Sequence, residues 1–326
     1  MDRYILLISQ RIEPTTDKVM DWLDTKGVSM VRLNGEDLLD DHCISVRLSK
    51  PEDSSLMING VPGHQISAVW FRRFLPPITN EREDKELSTV IGHRQQEMEA
   101  CIGVLKGMLD VPWLTSPSQI RRSKWQMLQL AKSVGLEVPD SIISTSGKQV
   151  REYLDASKAY ITKPLSEATF FSLQEKTYGM YTQEVKADAL PESFVPSLIQ
   201  EQVPKAYELR VFYLKGRVYP MAIFSQQNDQ TAMDFRMYDR ARPNRRTPYT
   251  LSEELTRKLQ RFMEAADLET GSIDMIVTPD GREVFLEVNP IGQLGMVSLP
   301  CNYQLEERIA HTLIQMANQN QEGNYA

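Results

Sequence analysis

Residues 272–290 read S-I-D-M-I-V-T-P-D-G-R-E-V-F-L-E-V-N-P and set Asp274, Glu287 and Asn289 into strand-like sequence. All three are hard oxygen donors, with no imidazole or thiolate among them. If Asp280-Gly281 is a two-residue type I′ turn, Pro279 faces Arg282, and counting outward places Asp274 directly opposite Glu287. Glu287 and Asn289 alternate onto one face. The three groups then converge within roughly 5–8 Å at Cβ. Ile273, Met275, Ile276, Val277, Phe285, Leu286 and Val288 make the surroundings apolar. Two carboxylates facing each other there repel unless a cation joins them. Mg²⁺ suits such a set, because it takes oxygen ligands and keeps positions for water and substrate phosphate. A hairpin whose acids simply face water, with Arg282 nearby, satisfies the same letters.

Other residues carry compatible chemistry. Lys163, in A-Y-I-T-K-P-L, ends an apolar strand before a proline, where it is either a point charge for a phosphate or a solvated strand end. Lys124, in R-R-S-K-W-Q, stands early on its helix beside Arg121 and Arg122 and also reads as part of an exposed face. S-L-I-Q-E-Q-V-P is an apolar strand ending at Glu201, and the backbone groups of Gln202 and Val203 are placed to meet an adenine edge. Glu208 and Arg210 share one strand face, either as a structural pair or dividing a ribose hydroxyl and a transferring phosphoryl group between them. Two glycines in N-P-I-G-Q-L-G-M allow the backbone to approach a ligand.

Elements of an α/β architecture must position these groups. Tyr4–Ser9 and Ser29–Leu33 read as strands around a helix that starts after Pro14 and is stopped by Gly27; Cys43–Leu48, Ser55–Ile58 and Ala68–Phe74 read as further strands. Thr79 to about Lys106 and residues 118–134 read as helices, with Gly135 stopping the second. Glu208–Phe224 alternates strongly around a Lys-Gly turn, the mark of a hairpin. A helix at Glu253–Ala266, the hairpin at Gly271–Asn289 and a helix at Gln304–Met316 follow, the last spacing Leu305, Ile309 and Leu313 four apart. The Arg-rich stretch 228–248 is too long for a tight connection and reads as a functional or mobile loop. With 326 residues the chain exceeds one ordinary core. It is 41% hydrophobic and 25% charged, with no apolar run long enough to span a bilayer and no secretory cleavage pattern near its start. Cys43, Cys101 and Cys301 make neither a disulfide framework nor a zinc spacing, which fits a reducing cytoplasm. A net charge of −7 argues against a nucleic-acid binder. His42, His64, His93 and His311 stand beside no motif, so no Ser-His-Asp arrangement is visible.

Taken in order, the chain resembles the ATP-grasp carboxylate–amine/thiol ligases. Within them it is most similar to the peptide-modifying branch that matures graspetides, the microviridin-type ligases and grasp-with-spasm maturases. The carrying stretches are A-V-W-F-R-R-F (68–74), S-K-W-Q-M-L-Q-L (123–130), I-T-K-P (161–164), Q-E-Q-V-P-K-A-Y-E-L-R-V-F (200–212), S-I-D-M-I-V…F-L-E-V-N-P-I-G-Q-L-G (272–295) and P-C-N-Y-Q-L-E (300–306). The resemblance covers essentially the whole chain. It implies an ATP-grasp fold: an N-terminal parallel-sheet α/β domain over 1–115, a central domain over 116–203 and a C-terminal ATP-grasp domain over 204–326 carrying the metal hairpin. It also implies that Lys124 and Lys163 contact ATP phosphates, that Glu201, Gln202 and Val203 hold adenine and Glu208 the ribose, and that Arg210 meets the γ-phosphate or acyl phosphate. Asp274, Glu287 and Asn289 would bind Mg²⁺. One departure stands out: residues 164–182 contain a single glycine, Gly179, where many superfamily members have a glycine-rich loop.

The implied reaction phosphorylates Asp or Glu side chains of a ribosomal precursor peptide, leader plus core, and joins them to Thr/Ser hydroxyls or Lys amines as ester or amide rings. The basic stretch 228–248 is a candidate guide for that peptide, or an ordinary solvated loop. A homodimer is expected from the resemblance alone. Two other functions fit parts of the pattern: a ligase of the same superfamily adding amino acids to a protein tail or small peptide, and a nucleotide-binding regulator without catalysis. The second predicts loss of the metal ligands or phosphate lysines, and this chain keeps them.

Overall fold

The structure, a computed structural model, describes residues 3–39, 43–48, 55–74, 85–120, 122–165, 170–173, 176–179, 182–226 and 243–323. The chain divides into two compact units, Met1–Arg121 with Gln293–Ala326, and Arg122–Gly292.

The first unit is built on a parallel sheet. Strand β1 (Tyr4–Ser9) leads through helix α1 (Pro14–Thr25) to β2 (Met30–Asn34), the helix beginning at Pro14 with the Glu13 carboxylate accepting the Thr16 N–H. Next, β3 (Ile44–Arg47), β4 (Ser55–Ile58) and β5 (Val61–Pro62) form a small antiparallel sheet. The chain then returns to the main sheet as β6 (Ile66–Phe71) and, after α2 (Lys85–Met108), as β7 (Trp113–Leu114). The strand order β2-β1-β6-β7 is parallel throughout. Ile5 to Ile8 and Ala68 to Trp70 are almost wholly buried, the near-continuous apolar run expected of strands covered on both faces. The helix expected from Thr79 begins outside the described residues.

Among the described residues the second unit carries a four-stranded and a five-stranded antiparallel sheet and a separate two-stranded hairpin. A short helix α3 (Pro117–Ile120) closes the first unit, and α4 (Lys124–Ser133) opens the second. One helix was expected over 118–134; Ser123, extended at φ −65° and ψ 129°, makes α4 a new start. Strand β8 (Ser141–Ser146), helix α5 (Gly147–Tyr153), β9 (Tyr160–Lys163), the hairpin β10 (Phe170–Leu173) and β11 (Lys176–Gly179), β12 (Gln183–Glu184) and β13 (Ser193–Glu201) follow. Four of these strands form a sheet in the order β12-β9-β13-β8. The other sheet has five strands, β14 (Tyr207–Leu214), β15 (Arg217–Phe224), β16 (Arg245–Pro248), β17 (Thr270–Val277) and β18 (Glu283–Asn289), ordered β16-β15-β14-β17-β18. Lys215 and Gly216 both have positive φ, so the expected Lys-Gly hairpin turn between β14 and β15 is of the primed kind.

Alternation gives the five-stranded sheet two different faces. Leu209, Val211, Ile273, Met275, Val277 and Phe285 point into the core, where they meet Met127, Leu128 and Ala131 of α4 and the apolar stripe of α6 (Glu253–Ala265). That stripe, Leu255, Leu259, Phe262 and Met263, follows helical periodicity, and the Ser252 hydroxyl caps it by accepting the Leu255 N–H at 3.1 Å. Helices α7 (Gly295–Cys301) and α8 (Leu305–Gly323) belong to the first unit; α8 buries Leu305, Ile309 and Leu313 and packs on α1 and β6. Sequence periodicity gave no sign of α7, which contains Pro300.

The Phe262 and Phe285 rings lie 4.8 Å apart, both wholly buried. Phe285→Ala is expected to cost about 3–5 kcal/mol of stability, read as a lower urea midpoint. An unchanged midpoint would show that this core does not hold the sheet.

Candidate active site

The face of the five-stranded sheet opposite the core carries the charges. Register places Arg210 of β14 beside Asp274 of β17, and Asp274 beside Glu287 of β18, so the three form one row across three strands. One row along, Ser272 stands opposite Asn289. The expected pairing of Asp274 with Glu287 is therefore present, but not for the expected reason. The turn is not the two-residue type I′ loop. Gly281 N–H donates to the Thr278 carbonyl at 2.9 Å, Thr278 N–H donates to Arg282 at 2.9 Å, and Gly281 has φ +87°. That is a three-residue loop with a glycine bulge, and it shifts Val277 opposite Glu283. A second bulge between Asp274 and Met275 takes up Leu286 and restores the pairing.

Arg210 is nearly buried, and its Nη1 donates to both carboxylate oxygens of Asp274. Its Nε is buried with no hydrogen-bond partner among the described residues. Further along β14, Glu208 is buried as well. Lys205 Nζ and, at 3.0 Å, Ser225 Oγ donate to its Oε1, while its Oε2 has no partner among the described residues. Burial pushes the Glu208 carboxyl above its ordinary pKa despite the opposing pull of Lys205 and Ser225.

These groups line a cavity of about 390 Å³, within the range of small-molecule sites. Apolar walls come from Ile161, Val203, Ile223, Ile276 and Leu286; Lys163, Glu201, Lys205, Glu208, Arg210, Asp274 and Glu287 supply the charges. Lys163 ends β9, where its Nζ donates to the buried Gln200 Oε1 at 3.2 Å. Lys124, at the start of α4, reaches the Pro164 carbonyl at 3.2 Å, one residue beyond Lys163. It does not line the cavity. Glu201 ends β13, and its carboxylate is held by Lys158 at 3.2 Å. Gln202 lines the cavity too, but its N–H already donates to the Ala159 carbonyl at 2.8 Å. Asn289 is exposed just outside, its Oδ1 accepting the Ile291 N–H at 3.0 Å.

Among the described residues no three His, Cys, Asp or Glu side chains gather as a metal cluster. Asp274 and Glu287 reach three donors only with the Asn289 amide. Lys205, Gln200, Ser225 and the bulged Leu286 were not expected in the site. Lys205 had a signal, a lysine three residues before Glu208, whereas the bulge had none. Of the basic stretch 228–248, residues up to 242 lie outside those described. Arg245–Pro248 forms β16, with the Arg245 guanidinium 5.4 Å from the Phe224 ring.

No family model matches the chain, and no curated protein does. Solved structures do. A RiPP-associated ATP-grasp ligase of Chryseobacterium gregarium, held with ADP and a leader and core peptide, superposes with a TM-score of 0.81 over 96% of this chain and 97% of its own at 21% identity. The fold is that of the ATP-grasp peptide ligases. Macrocyclase MdnB of Microcystis aeruginosa MRC matches at 25% identity and TM-score 0.75, over 96% of this chain and 99% of its own. ATP-grasp ligase PsnB, complexed with a phosphomimetic variant of its minimal precursor, Mg and ADP, matches at 18% identity and TM-score 0.73, over 97% and 99%. The ATP-grasp fold thus extends over nearly the whole chain, as the sequence resemblance implied.

A carboxyl whose folded pKa lies above its unfolded value holds an extra proton in the folded state. Its contribution to stability is present below the unfolded value and is lost as pH rises through the folded one. In the ligand-free protein Glu208 should therefore contribute a loss of stability as pH climbs above the ordinary glutamate range, and Glu208→Gln should remove that part of the slope. Urea midpoints measured from pH 4 to 8 check this; identical slopes in the two proteins would contradict the burial argument.

Proposed function

We propose that this chain is an ATP-dependent carboxylate ligase that closes ester or amide rings in a ribosomal precursor peptide. The observation that carries the reading is the Arg210–Asp274–Glu287 row beside a nucleotide-sized cavity, in the fold of ligases solved with ADP, Mg and precursor peptides.

The residues fit the reactants. Glu208 Oε2, a buried acceptor at the cavity wall with no partner among the described residues, suits a ribose hydroxyl. Glu201, Gln202 and Val203 border the space for adenine, with Val203, Ile276 and Leu286 packed as an apolar bed. Lys163 brings positive charge to the phosphates from the cavity wall, and Lys124 adds its charge from outside the lining, beside Pro164. Asp274, Glu287 and Asn289 offer only hard oxygens and suit Mg²⁺. Bound there, Mg²⁺ neutralises charge on the phosphates.

Positioning and electrostatics then carry the chemistry. An Asp or Glu carboxylate oxygen of the peptide bonds to the γ-phosphorus as its bond to the bridging oxygen breaks, and ADP leaves. Arg210, tethered through Nη1 to Asp274, turns its remaining donors toward the transferring oxygens, which makes it a catalytic residue together with Lys163. A Thr/Ser hydroxyl or Lys amine of the same peptide attacks the acyl carbon and gives up a proton, and phosphate departs.

Each ring removes one water from the peptide. Incubation with ATP, Mg²⁺ and the product of a neighbouring small peptide gene should give mass losses in whole waters. A mass gain would indicate amino-acid addition, and nucleotide binding without turnover a regulator. Glu287→Gln is expected to lower ring formation roughly 10²–10³-fold while leaving the circular-dichroism spectrum unchanged. Wild-type rates in that variant would remove Glu287 from the site.

A further inference from the structure

Asn289 ends β18 and begins a tight turn through Pro290 and Ile291 to Gly292. Gly292 N–H donates to the Asn289 carbonyl at 3.0 Å, and Ile291 N–H donates to Asn289 Oδ1 at 3.0 Å. The turn therefore holds the Asn289 carboxamide by its oxygen, and Pro290 at the second position stiffens it.

Gly292 does not have a positive φ, so glycine is not there for backbone freedom. Space is the reason. A Cβ built on Gly292 would overlap both Oγ and Cβ of Ser272 and lie 3.0 Å from Ser272 N. Ser272 is wholly buried on β17, directly opposite Asn289, and its Oγ has no hydrogen-bond partner among the described residues. A hydroxyl in that state is unfavourable on its own. The backbone of residue 292 lies over it and shuts it off.

We infer that Gly292 is a positioning residue for the cation site. The missing side chain lets the Asn289–Gly292 turn close onto Ser272, and that close approach aims the Asn289 carboxamide. This rests on the reading that Asn289 is a ligand. The size of the residue at 292 and the size of the residue at 272 are coupled: a methyl added at one needs atoms removed at the other.

Mn²⁺ binding to the ADP complex, followed by electron paramagnetic resonance, tests this. Gly292→Ala should weaken Mn²⁺ about 10–100-fold, the usual effect of losing support behind a ligand. Affinity for ADP measured in EDTA should stay at the wild-type value, since the turn lies outside the cavity. Ser272→Gly combined with Gly292→Ala removes both overlapping atoms and should recover most of the Mn²⁺ affinity. Wild-type Mn²⁺ affinity in Gly292→Ala, or a double variant binding no tighter than the single one, overturns the inference. If Gly292→Ala does not fold, the double variant decides, because a folded, Mn²⁺-binding double variant supports the coupling and an unfolded one overturns it. Asn289→Ala marks the separate failure: wild-type Mn²⁺ affinity there removes the ligand assignment itself.

Discussion

Arg210, Asp274 and Glu287 stand side by side in one row of a β-sheet, and the second unit is organised around holding that row in place. Side chains alternate along a strand, so a slip of one residue would carry all three charges to the opposite face. What prevents the slip is the other face, where Leu209, Val211, Ile273, Met275 and Phe285 lock into α4 and α6. The core therefore sets the register, and the register sets the chemistry. The Arg210–Asp274 pair is weak support for the fold, since taking two charges out of water costs about as much as their attraction returns. Its place in a cavity wall fits the phosphate-binding role proposed for it.

The cavity grades from apolar to charged. Val203, Ile276, Val284 and Leu286 make a dry patch near the end of β13, and the acids and lysines begin beyond it. Glu208 sits at the join, buried enough for its carboxyl to be pushed up and held by Lys205 and Ser225 on one oxygen only. One oxygen anchored and one left without a partner among the described residues, in a residue that lines the cavity, is the arrangement expected of a group that meets a ligand hydroxyl.

Much of this was legible in the sequence, because strands with one buried face announce themselves by alternation. The Glu208–Phe224 hairpin, α6 and the apolar stripe of α8 follow directly from period and capping. Asp274 was placed opposite Glu287, yet by two errors that cancel: the turn has one more residue than expected, and the bulge at Leu286 returns it. A bulge leaves no compositional mark, so counting from a turn cannot find it. The site's second layer was hidden for a similar reason. Gln200 and Ser225 are ordinary polar residues until pairing brings them to Lys163 and Glu208. The room needed at Gly292 also depends on a neighbour twenty positions earlier, Ser272.

The account stands on one placement, a divalent cation held by the β17–β18 hairpin against a nucleotide. Crystals grown with ADP and Mn²⁺ test it through the anomalous signal of the metal. A peak shared by the Asp274 and Glu287 carboxylates and the Asn289 oxygen, with Mg²⁺-like spacing of about 2.1 Å, is the predicted result. A metal bound to the phosphates alone, with no ligand from the hairpin, would contradict it.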